Sequence, residues 1–347
     1  MKKLNLKKLL SLTAAVALTL SLAACSGGTA SSPSPSASAP AGSAPVAGEG
    51  YKVAVVKQLD HASMDEIANA ITGRLDEIAA EKGAEITYQV FSGQNDQSTL
   101  TQIGSQIVAD GYSAIVPIGT LAAQVMVVAA EDSKTPVIFA AVSDPAYNDL
   151  TGIDYLTGTS DALNTEFILD MMLAQNPDTA KVGLLYSKSE TNSATPIAEA
   201  KTYLDGKGIA YVEATANTND EVIAAASSLI ADGVDAVFTP TDNVVMAAEL
   251  AIYEDLAAAG IPHYTGADSF VRNGAFATCG VNYTDLGAQT ADLVEQALSA
   301  GMDGLEDFYK VSGGIITVNT ETAAALGADY SVFADMGDLV EVTTTAE

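Results

Sequence analysis

The chain contains one eight-residue pattern twice: Ala109-Asp110-Gly111-Tyr112-Ser113-Ala114-Ile115-Val116 and, 122 residues later, Ala231-Asp232-Gly233-Val234-Asp235-Ala236-Val237-Phe238. In each copy a glycine separates the end of a helix-like stretch from an apolar run, which is typical of a helix that leads into a buried strand. Shorter matches at nearby offsets pair Glu81-Lys82-Gly83 with Gly206-Lys207-Gly208, and Thr135-Pro136-Val137 with Ile261-Pro262-His263. The repeat therefore predicts two halves of similar fold.

Short β-rich runs alternate with longer amphipathic stretches from Lys52 onward, which is the pattern of βαβ units in a parallel sheet. The predicted strands are 52–57, 86–91, 114–118 and 136–140 in the first half, and 181–186, 210–214, 236–239 and 262–266 in the second. We predict an α/β fold of two similar, doubly wound lobes. Because ligands bind at the carboxyl ends of such strands, a ligand cleft is expected between the lobes, with hinge closure around a small molecule.

The chain is expected to cross between the lobes near 151–158 and near 280–285, with a third candidate crossing near 311–316. These crossings assign residues 51–154 and about 284–310 to the first lobe. The second lobe is then 155–283 with about 311–335, and the acidic, Thr-rich end of the chain follows it.

The first 24 residues are organised like a signal segment. Four lysines lie within Met1–Lys8 and precede an apolar run, Leu9–Ala24, that is too short to span a bilayer comfortably. The run ends in Leu22-Ala23-Ala24-Cys25, which resembles a bacterial lipoprotein signal cleaved before an acylated Cys25. An ordinary signal peptide with a chance cysteine is the alternative. Residues 25–50 then form a flexible Ser/Pro/Ala tether on the extracytoplasmic face of the cell membrane.

The charge of the chain excludes several classes of partner. It has 15 basic and 44 acidic residues, and removal of the four signal lysines would bring the net charge from -29 to -33. Such a surface repels phosphate backbones and anionic lipid, so no nucleic-acid partner is expected. The two histidines, His61 and His263, have no metal-site spacing, and P-loop and nucleophile-elbow motifs are absent. We expect no cofactor, metal or catalysis, although an all-carboxylate calcium site and a catalytic carboxylate pair stay open as alternatives.

Equivalent loops in the two halves carry complementary groups. Thr120 and Asp242 are separated by the same 122 residues as the repeat, and each follows a predicted strand and opens a helix. A hydroxyl at a helix N-terminus opposite a carboxylate suits a zwitterionic ligand. Both residues could instead be plain N-caps.

Further candidates lie in the loops at the same ends of the strands. Asp144 precedes a proline and is alternatively a turn residue, Glu190 with its neighbours is alternatively a helix cap, and His61 is alternatively a polar residue at the rim. The remaining candidate ligand-binding residues are Ala122, Gln124, Asn192, Ser193, Asn243 and Asp268.

Six short motifs together resemble the solute-binding lipoproteins of ABC importers of the tryptophan and aromatic amino acid type. They are Asp60-His61-Ala62-Ser63-Met64-Asp65, Asp96-Gln97-Ser98-Thr99-Leu100, Thr120-Leu121-Ala122-Ala123-Gln124, Val142-Ser143-Asp144-Pro145, Glu190-Thr191-Asn192-Ser193 and Pro240-Thr241-Asp242-Asn243. The resemblance covers about 52–328 and implies a type I periplasmic-binding-protein fold with three crossings.

The resemblance also implies roles for particular residues and partners. Thr120 and the Asn192-Ser193 loop would hold a carboxylate, and Asp242 would hold an ammonium group. The protein would be a monomeric receptor that captures an amino acid and presents it to the permease subunits of an ABC importer in the membrane. A sensory receptor, or a binding protein for a nucleoside, a sugar or a thiamine-like cation, are the alternatives.

Overall fold

The computed structural model describes residues 50–345. The predicted signal segment, Cys25 and all of the tether except Gly50 lie outside these residues. Within residues 50–345, no helix combines the length and the apolar character needed to cross a bilayer.

The described part of the chain alternates strands and helices, as the sequence predicts. The strands are β1 (Tyr51–Lys57), β2 (Ile86–Ser92), β3 (Ala114–Ile118), β4 (Val137–Phe139), β5 (Leu156–Ser160), β6 (Lys181–Tyr186), β7 (Ala210–Thr215), β8 (Ala236–Thr239), β9 (His263–Thr265), β10 (Ala277–Val281), β11 (Tyr309–Lys310), β12 (Gly313–Asn319) and β13 (Asp338–Val342). The helices are α1 (Ala62–Lys82), α2 (Gln97–Ala109), α3 (Thr120–Ala129), α4 (Thr165–Gln175), α5 (Ala194–Lys207), α6 (Asn219–Asp232), α7 (Asn243–Ala248), α8 (Tyr253–Ala258), α9 (Asp268–Arg272), α10 (Tyr283–Ala300) and α11 (Thr320–Leu326).

The strands form two separate sheets, which define the two lobes. The sheet of lobe 1 has the order β11-β5-β4-β3-β1-β2, and all its neighbours are parallel. The sheet of lobe 2 has the order β13-β12-β10-β9-β8-β6-β7 and is parallel except between β10 and β12. The predicted α/β fold with two mostly parallel sheets is therefore confirmed.

Helices cover both faces of the lobe 1 sheet, as a doubly wound fold requires. Val53 and Val55 of β1 belong to the core that contains the buried face of α1, whereas Ala54 and Val56 belong to the core with α2 and α3. All four side chains are fully buried. The uninterrupted apolar run in this strand thus follows from burial on both faces.

The repeated pattern has the same structural task in each lobe. Gly111 and Gly233 adopt left-handed conformations, with φ of 66° and 64°, just beyond α2 and α6. Two residues later, the Ser113 hydroxyl accepts a hydrogen bond from the Lys52 N–H (3.1 Å), and the Asp235 carboxylate accepts one from the Lys181 N–H (2.8 Å). Each copy ends a helix and fastens the next strand to the start of its neighbour.

The first predicted crossing, near 151–158, is wrong because Leu156–Ser160 forms β5, which pairs with β4 in lobe 1. The chain passes into lobe 2 only between Ser160 and Thr165, returns between Val281 and Tyr283, and passes again between Lys310 and Gly313. Residues 155–160 therefore belong to lobe 1 rather than lobe 2, and lobe 2 extends to β13. β5 lacks an apolar pattern because its threonine hydroxyls are bonded inside the fold, as Thr159 is to Thr290 (2.7 Å).

Candidate functional site

A cavity lies between the two lobes at the carboxyl ends of the strands, which is where open α/β folds bind their ligands. Polar and apolar side chains both line it. The polar ones are His61, Ser63, Thr120, Ser143, Asp161, Asn192, Thr241, Asp242, Asn243 and Tyr283. The apolar ones are Met64, Ile67, Ala141, Met246, Ala267 and Phe270, and the Gly119 backbone completes the wall.

The N-terminus of α3 opens onto this cavity. Its N-cap, Gly119, has φ 93° and makes no side-chain cap, and a Cβ at this position would lie 2.8 Å from Gln58 Oε1 and 2.9 Å from Met64 Cε. The next residue, Thr120, is buried, and its Oγ1 has no hydrogen-bond partner among the described residues. A helix N-terminus with an unpaired hydroxyl beside it is a site for an anion.

Asp161 lies on the first crossing between the lobes and faces the same cavity. It is buried, and it accepts hydrogen bonds from Ser143 Oγ (2.9 Å) and Tyr283 Oη (3.2 Å). Burial raises the pKa of this carboxyl group, and the two hydroxyl donors oppose the rise. Since a carboxylate offers about four lone-pair sites, Asp161 keeps acceptor capacity for a ligand.

Asp242 has no such capacity left. Its Oδ1 accepts from the N–H groups of Val244 and Val245, as an N-cap does. Its Oδ2 accepts from the Ser187 N–H and from Ser193 Oγ, both at 2.7 Å. Asp242 lines the cavity, but this geometry argues against the ammonium-binding role that the sequence predicted, because the fold itself occupies its acceptor sites.

Hydrogen bonds between the lobes hold the cleft closed. They join Gln58 to Glu190 (3.1 Å), His61 to Asn243 (3.0 Å), Ser63 to Ser269, Ser143 to Thr241 (3.2 Å) and Thr195 to Asp144 (2.7 Å). These contacts surround the cavity, so opening of the cleft must break them.

The predicted site residues fall into two groups. Thr120, Asn192, Asp242, Asn243 and His61 line the cavity. The other six lie outside it. Three of them take part in the hydrogen bonds just described: Asp144, Glu190 and Ser193. Ala122 is in the lobe 1 core, Gln124 bonds to Asn148, and Asp268 pairs with Arg272. For Ala122, Gln124 and Asp268 the structure therefore does not support ligand contact.

Sequence reasoning missed Asp161, Ser143 and Met246, which all line the cavity. The signal for Asp161 is its place directly after a strand and at a crossing, but the misplaced first crossing concealed it. Across residues 50–345, no group of three or more His, Cys, Asp or Glu side chains is arranged to hold a metal ion.

Two α/β lobes, three crossings and a closed polar cavity define a hinged binding protein for a small solute. The family model described as ABC transporter substrate binding protein matches residues 52–331, and the chain belongs to this family. The fold is that of type I periplasmic binding proteins, as the resemblance implied. The family binds its substrates rather than transforming them, and its members are extracytoplasmic components of ABC transporters.

Similar proteins include three with informative descriptions. A tyrosine-binding protein of Clostridioides difficile (strain R20291) is 27% identical over 279 residues, or 79% of this chain and 80% of the relative. A Streptococcus pneumonia ABC domain in complex with L-Trp has a TM-score of 0.76 at 26% identity, covering 84% of this chain and 100% of that one. The ligand-free, open structure of a Clostridium difficile substrate binding protein with adhesive properties has a TM-score of 0.64 at 26% identity, covering 85% and 100%.

The structure as a whole is more similar to the L-Trp complex than to the ligand-free, open structure, although both relatives are 26% identical to this chain. The closed state of the cleft is shown by the hydrogen bonds between the lobes.

Proposed function

We propose that the protein captures an aromatic L-amino acid for import, and that it holds the ligand carboxylate at the α3 N-terminus and the ligand ammonium group at Asp161. The observation that carries the proposal is that one closed cavity contains the Thr120 hydroxyl, which has no partner within residues 50–345, and a buried carboxylate with free acceptor sites. Two relatives support the choice of ligand: the tyrosine-binding protein and the ABC domain in complex with L-Trp.

The electrostatics of the cavity favour a zwitterion over a neutral solute. A buried carboxylate without a cation is costly, and charge-assisted hydrogen bonds from an ammonium group offset that cost. The ammonium group also favours the ionised form of Asp161, against the effect of burial on its pKa. A sugar or a nucleoside would leave Asp161 without a countercharge.

The apolar part of the wall suits an aromatic side chain. Met64, Ile67, Met246 and Phe270 line the cavity, and aromatic rings pack favourably against both thioether sulfur atoms and other rings. The two methionines are unbranched and flexible, so the wall can adapt to tyrosine or to the larger tryptophan.

Calorimetry with matched analogues tests this assignment. L-Tyrosine or L-tryptophan should bind, whereas tyramine, which lacks the carboxylate, and 3-(4-hydroxyphenyl)propionate, which lacks the ammonium group, should each bind at least about a hundredfold more weakly. Equal binding of tyrosine and either analogue, or preference for a sugar or nucleoside, would contradict the proposal.

Thr120→Val tests the carboxylate site separately. Because the Thr120 hydroxyl has no partner among the described residues, its removal should leave the free energy of unfolding unchanged or slightly raised. A hydrogen bond to a charged carboxylate contributes about 1.5–3 kcal/mol, so the affinity for L-tyrosine should fall about 10- to 100-fold.

The matched control for this variant is Thr278→Val, since Thr278 Oγ1 is buried but donates to the Thr265 carbonyl oxygen (2.6 Å). This variant should lose stability and keep affinity. The carboxylate site would be refuted if urea unfolding and calorimetry showed the two threonine variants to behave alike.

The membrane arrangement extends this proposal. Cys25 would carry the lipid anchor, residues 26–50 would act as the tether, and a monomer would deliver its ligand to the permease subunits of an ABC importer. Metabolic labelling with a palmitate analogue should mark the wild type but not Cys25→Ser. Label retained by the variant would exclude Cys25 as the anchor.

A further inference from the structure

A second buried acid, Glu190, lies beside the ligand cavity without lining it. It comes from lobe 2, in the loop between β6 and α5, and is 5% exposed. One carboxylate oxygen accepts from Gln58 Nε2 of lobe 1 (3.1 Å), and the other accepts from Asn243 Nδ2 of lobe 2 (2.6 Å). Glu190 is therefore enclosed by both lobes only when the cleft is closed.

The surroundings of Glu190 provide no countercharge. It forms no ion pair within residues 50–345, and Gln58, Asn243 and Asn95 beside it are neutral amides. Asp242 is the charged group that faces it from lobe 2.

The nearby lysine and histidine of lobe 1 do not neutralise the negative charge of Glu190 either. His61 reaches Asn243 through Nε2 while its Nδ1 accepts from the Met64 N–H, so the ring is neutral, and burial lowers its pKa. Lys57, next to Gln58 in the sequence, is paired with Asp60 and Asp65.

Two neighbouring buried carboxyl groups cannot both ionise easily, so one of them binds a proton at higher pH than usual. The four donors on Asp242 favour its ionised form. Burial and the charge of Asp242 raise the pKa of Glu190 to about 7. Hydrogen bonds from the Asn243 and Asn95 side chains oppose this rise.

Gln58 connects this acid to the ligand site. While its Nε2 donates to Glu190 and to Asn95 Oδ1 (2.9 Å), its Oε1 accepts from the Leu121 N–H (3.0 Å) in the first turn of α3. The orientation of Gln58 is thus fixed from both ends, and the start of α3 is tied to a residue of the other lobe.

We propose that Glu190 is a positioning residue that takes up a proton from solvent as the cleft closes and, through Gln58, holds the α3 N-terminus in place for the ligand carboxylate. The last part of this inference rests on the proposed function, whereas the proton uptake depends on closure alone. Opening separates Glu190 from Gln58 and exposes it to water, which lowers its pKa towards the ordinary value because the effect of burial is lost.

The sign of the pH effect follows from this difference. A pKa that is higher in the closed state means that closure is favoured at low pH and becomes less favoured as the pH rises through about 7. Between the open-state and closed-state pKa values, closure should bind about one proton, and the affinity for L-tyrosine should be about tenfold higher at pH 6 than at pH 8.

The test uses Glu190→Gln, which keeps the shape of the side chain but cannot titrate. Proton uptake is measured by calorimetry with L-tyrosine in buffers of different ionisation enthalpy at pH 6 and 8. The variant should lose the uptake and the tenfold pH dependence. Any change in the protonation of Asp161 on binding occurs in the wild type and in Glu190→Gln alike, so it cancels when the proton uptake of the two proteins is subtracted. The control Glu213→Gln removes a lobe 2 acid that is paired with Lys201, and it should behave as the wild type.

Small-angle scattering of the ligand-free protein separates failure of this proposal from failure of the proposed function. The radius of gyration should be smaller at pH 6 than at pH 8, and the difference should vanish in Glu190→Gln. If the radius of gyration changes with pH in this way but L-tyrosine does not bind, the proton site is supported and the ligand assignment is contradicted. Tyrosine binding with equal proton uptake in wild type and Glu190→Gln would overturn the proton site alone, and absence of both effects would overturn both proposals.

Discussion

Asp161→Asn is expected to weaken the binding of L-tyrosine by at least about a hundredfold. The substitution keeps the size of the side chain and an oxygen for Ser143 or Tyr283, but it removes the charge that faces the ligand ammonium group. Breaking a buried ion pair by removing one partner costs about 3–5 kcal/mol, which corresponds to a loss of affinity of roughly two to four orders of magnitude. Titration calorimetry at pH 7 measures this change directly.

The free energy of unfolding should not fall in this variant, because an uncompensated buried carboxylate does not stabilise the ligand-free protein. Asp268→Asn is the matched control, since Asp268 is an acid near the hinge that lies outside the cavity and pairs with Arg272 (3.1 Å). It should bind tyrosine like the wild type. Equal affinities of the Asp161 and Asp268 variants would remove Asp161 from the site.

Asp242→Ala should act mainly on stability. Its carboxylate accepts four hydrogen bonds, two of them from the first turn of α7 and two from the loop that follows β6. Removal leaves buried N–H and O–H donors without an acceptor, so the free energy of unfolding should fall by about 3–5 kcal/mol. Urea unfolding followed by circular dichroism measures the loss.

Asp96→Ala provides the comparison for this loss, since Asp96 is the exposed N-cap of α2 and its side chain accepts from the N–H and the hydroxyl of Thr99. It should cost far less stability than Asp242→Ala, because the donors that it frees are open to water. The folded fraction of Asp242→Ala should still bind tyrosine far better than Asp161→Asn does. A stable Asp242→Ala protein without affinity would instead restore Asp242 as the ammonium partner.

The fold was largely predictable because its determinants are local and are repeated. Glycines at 111 and 233 end helices in left-handed conformations, and the apolar runs that follow can only be buried strands. By contrast, β5 is Leu156-Thr157-Gly158-Thr159-Ser160. Its burial depends on partners far away in sequence, such as the Glu306 carbonyl oxygen that accepts from Thr157 Oγ1 (2.8 Å). No local pattern reveals such a strand.

The site was predictable only in part for a related reason. The loops after the strands could be identified, and Thr120, one of the candidates in them, lines the cavity. The sequence allows Asp242 to be either a cap or a ligand residue, and the choice between them depends on Ser187 and Ser193, which only the folded chain brings to it. Asp161 acquires its role from the crossing and from Tyr283, 122 residues away.

A crystal structure of the protein with L-tyrosine tests the central claim most directly. The account predicts a closed cleft with the ligand nitrogen within about 3 Å of an Asp161 carboxylate oxygen, and with the ligand carboxylate at hydrogen-bond distance from Thr120 Oγ1 at the α3 N-terminus. A ligand nitrogen bound to Asp242, or tyrosine bound outside this cavity, would contradict it.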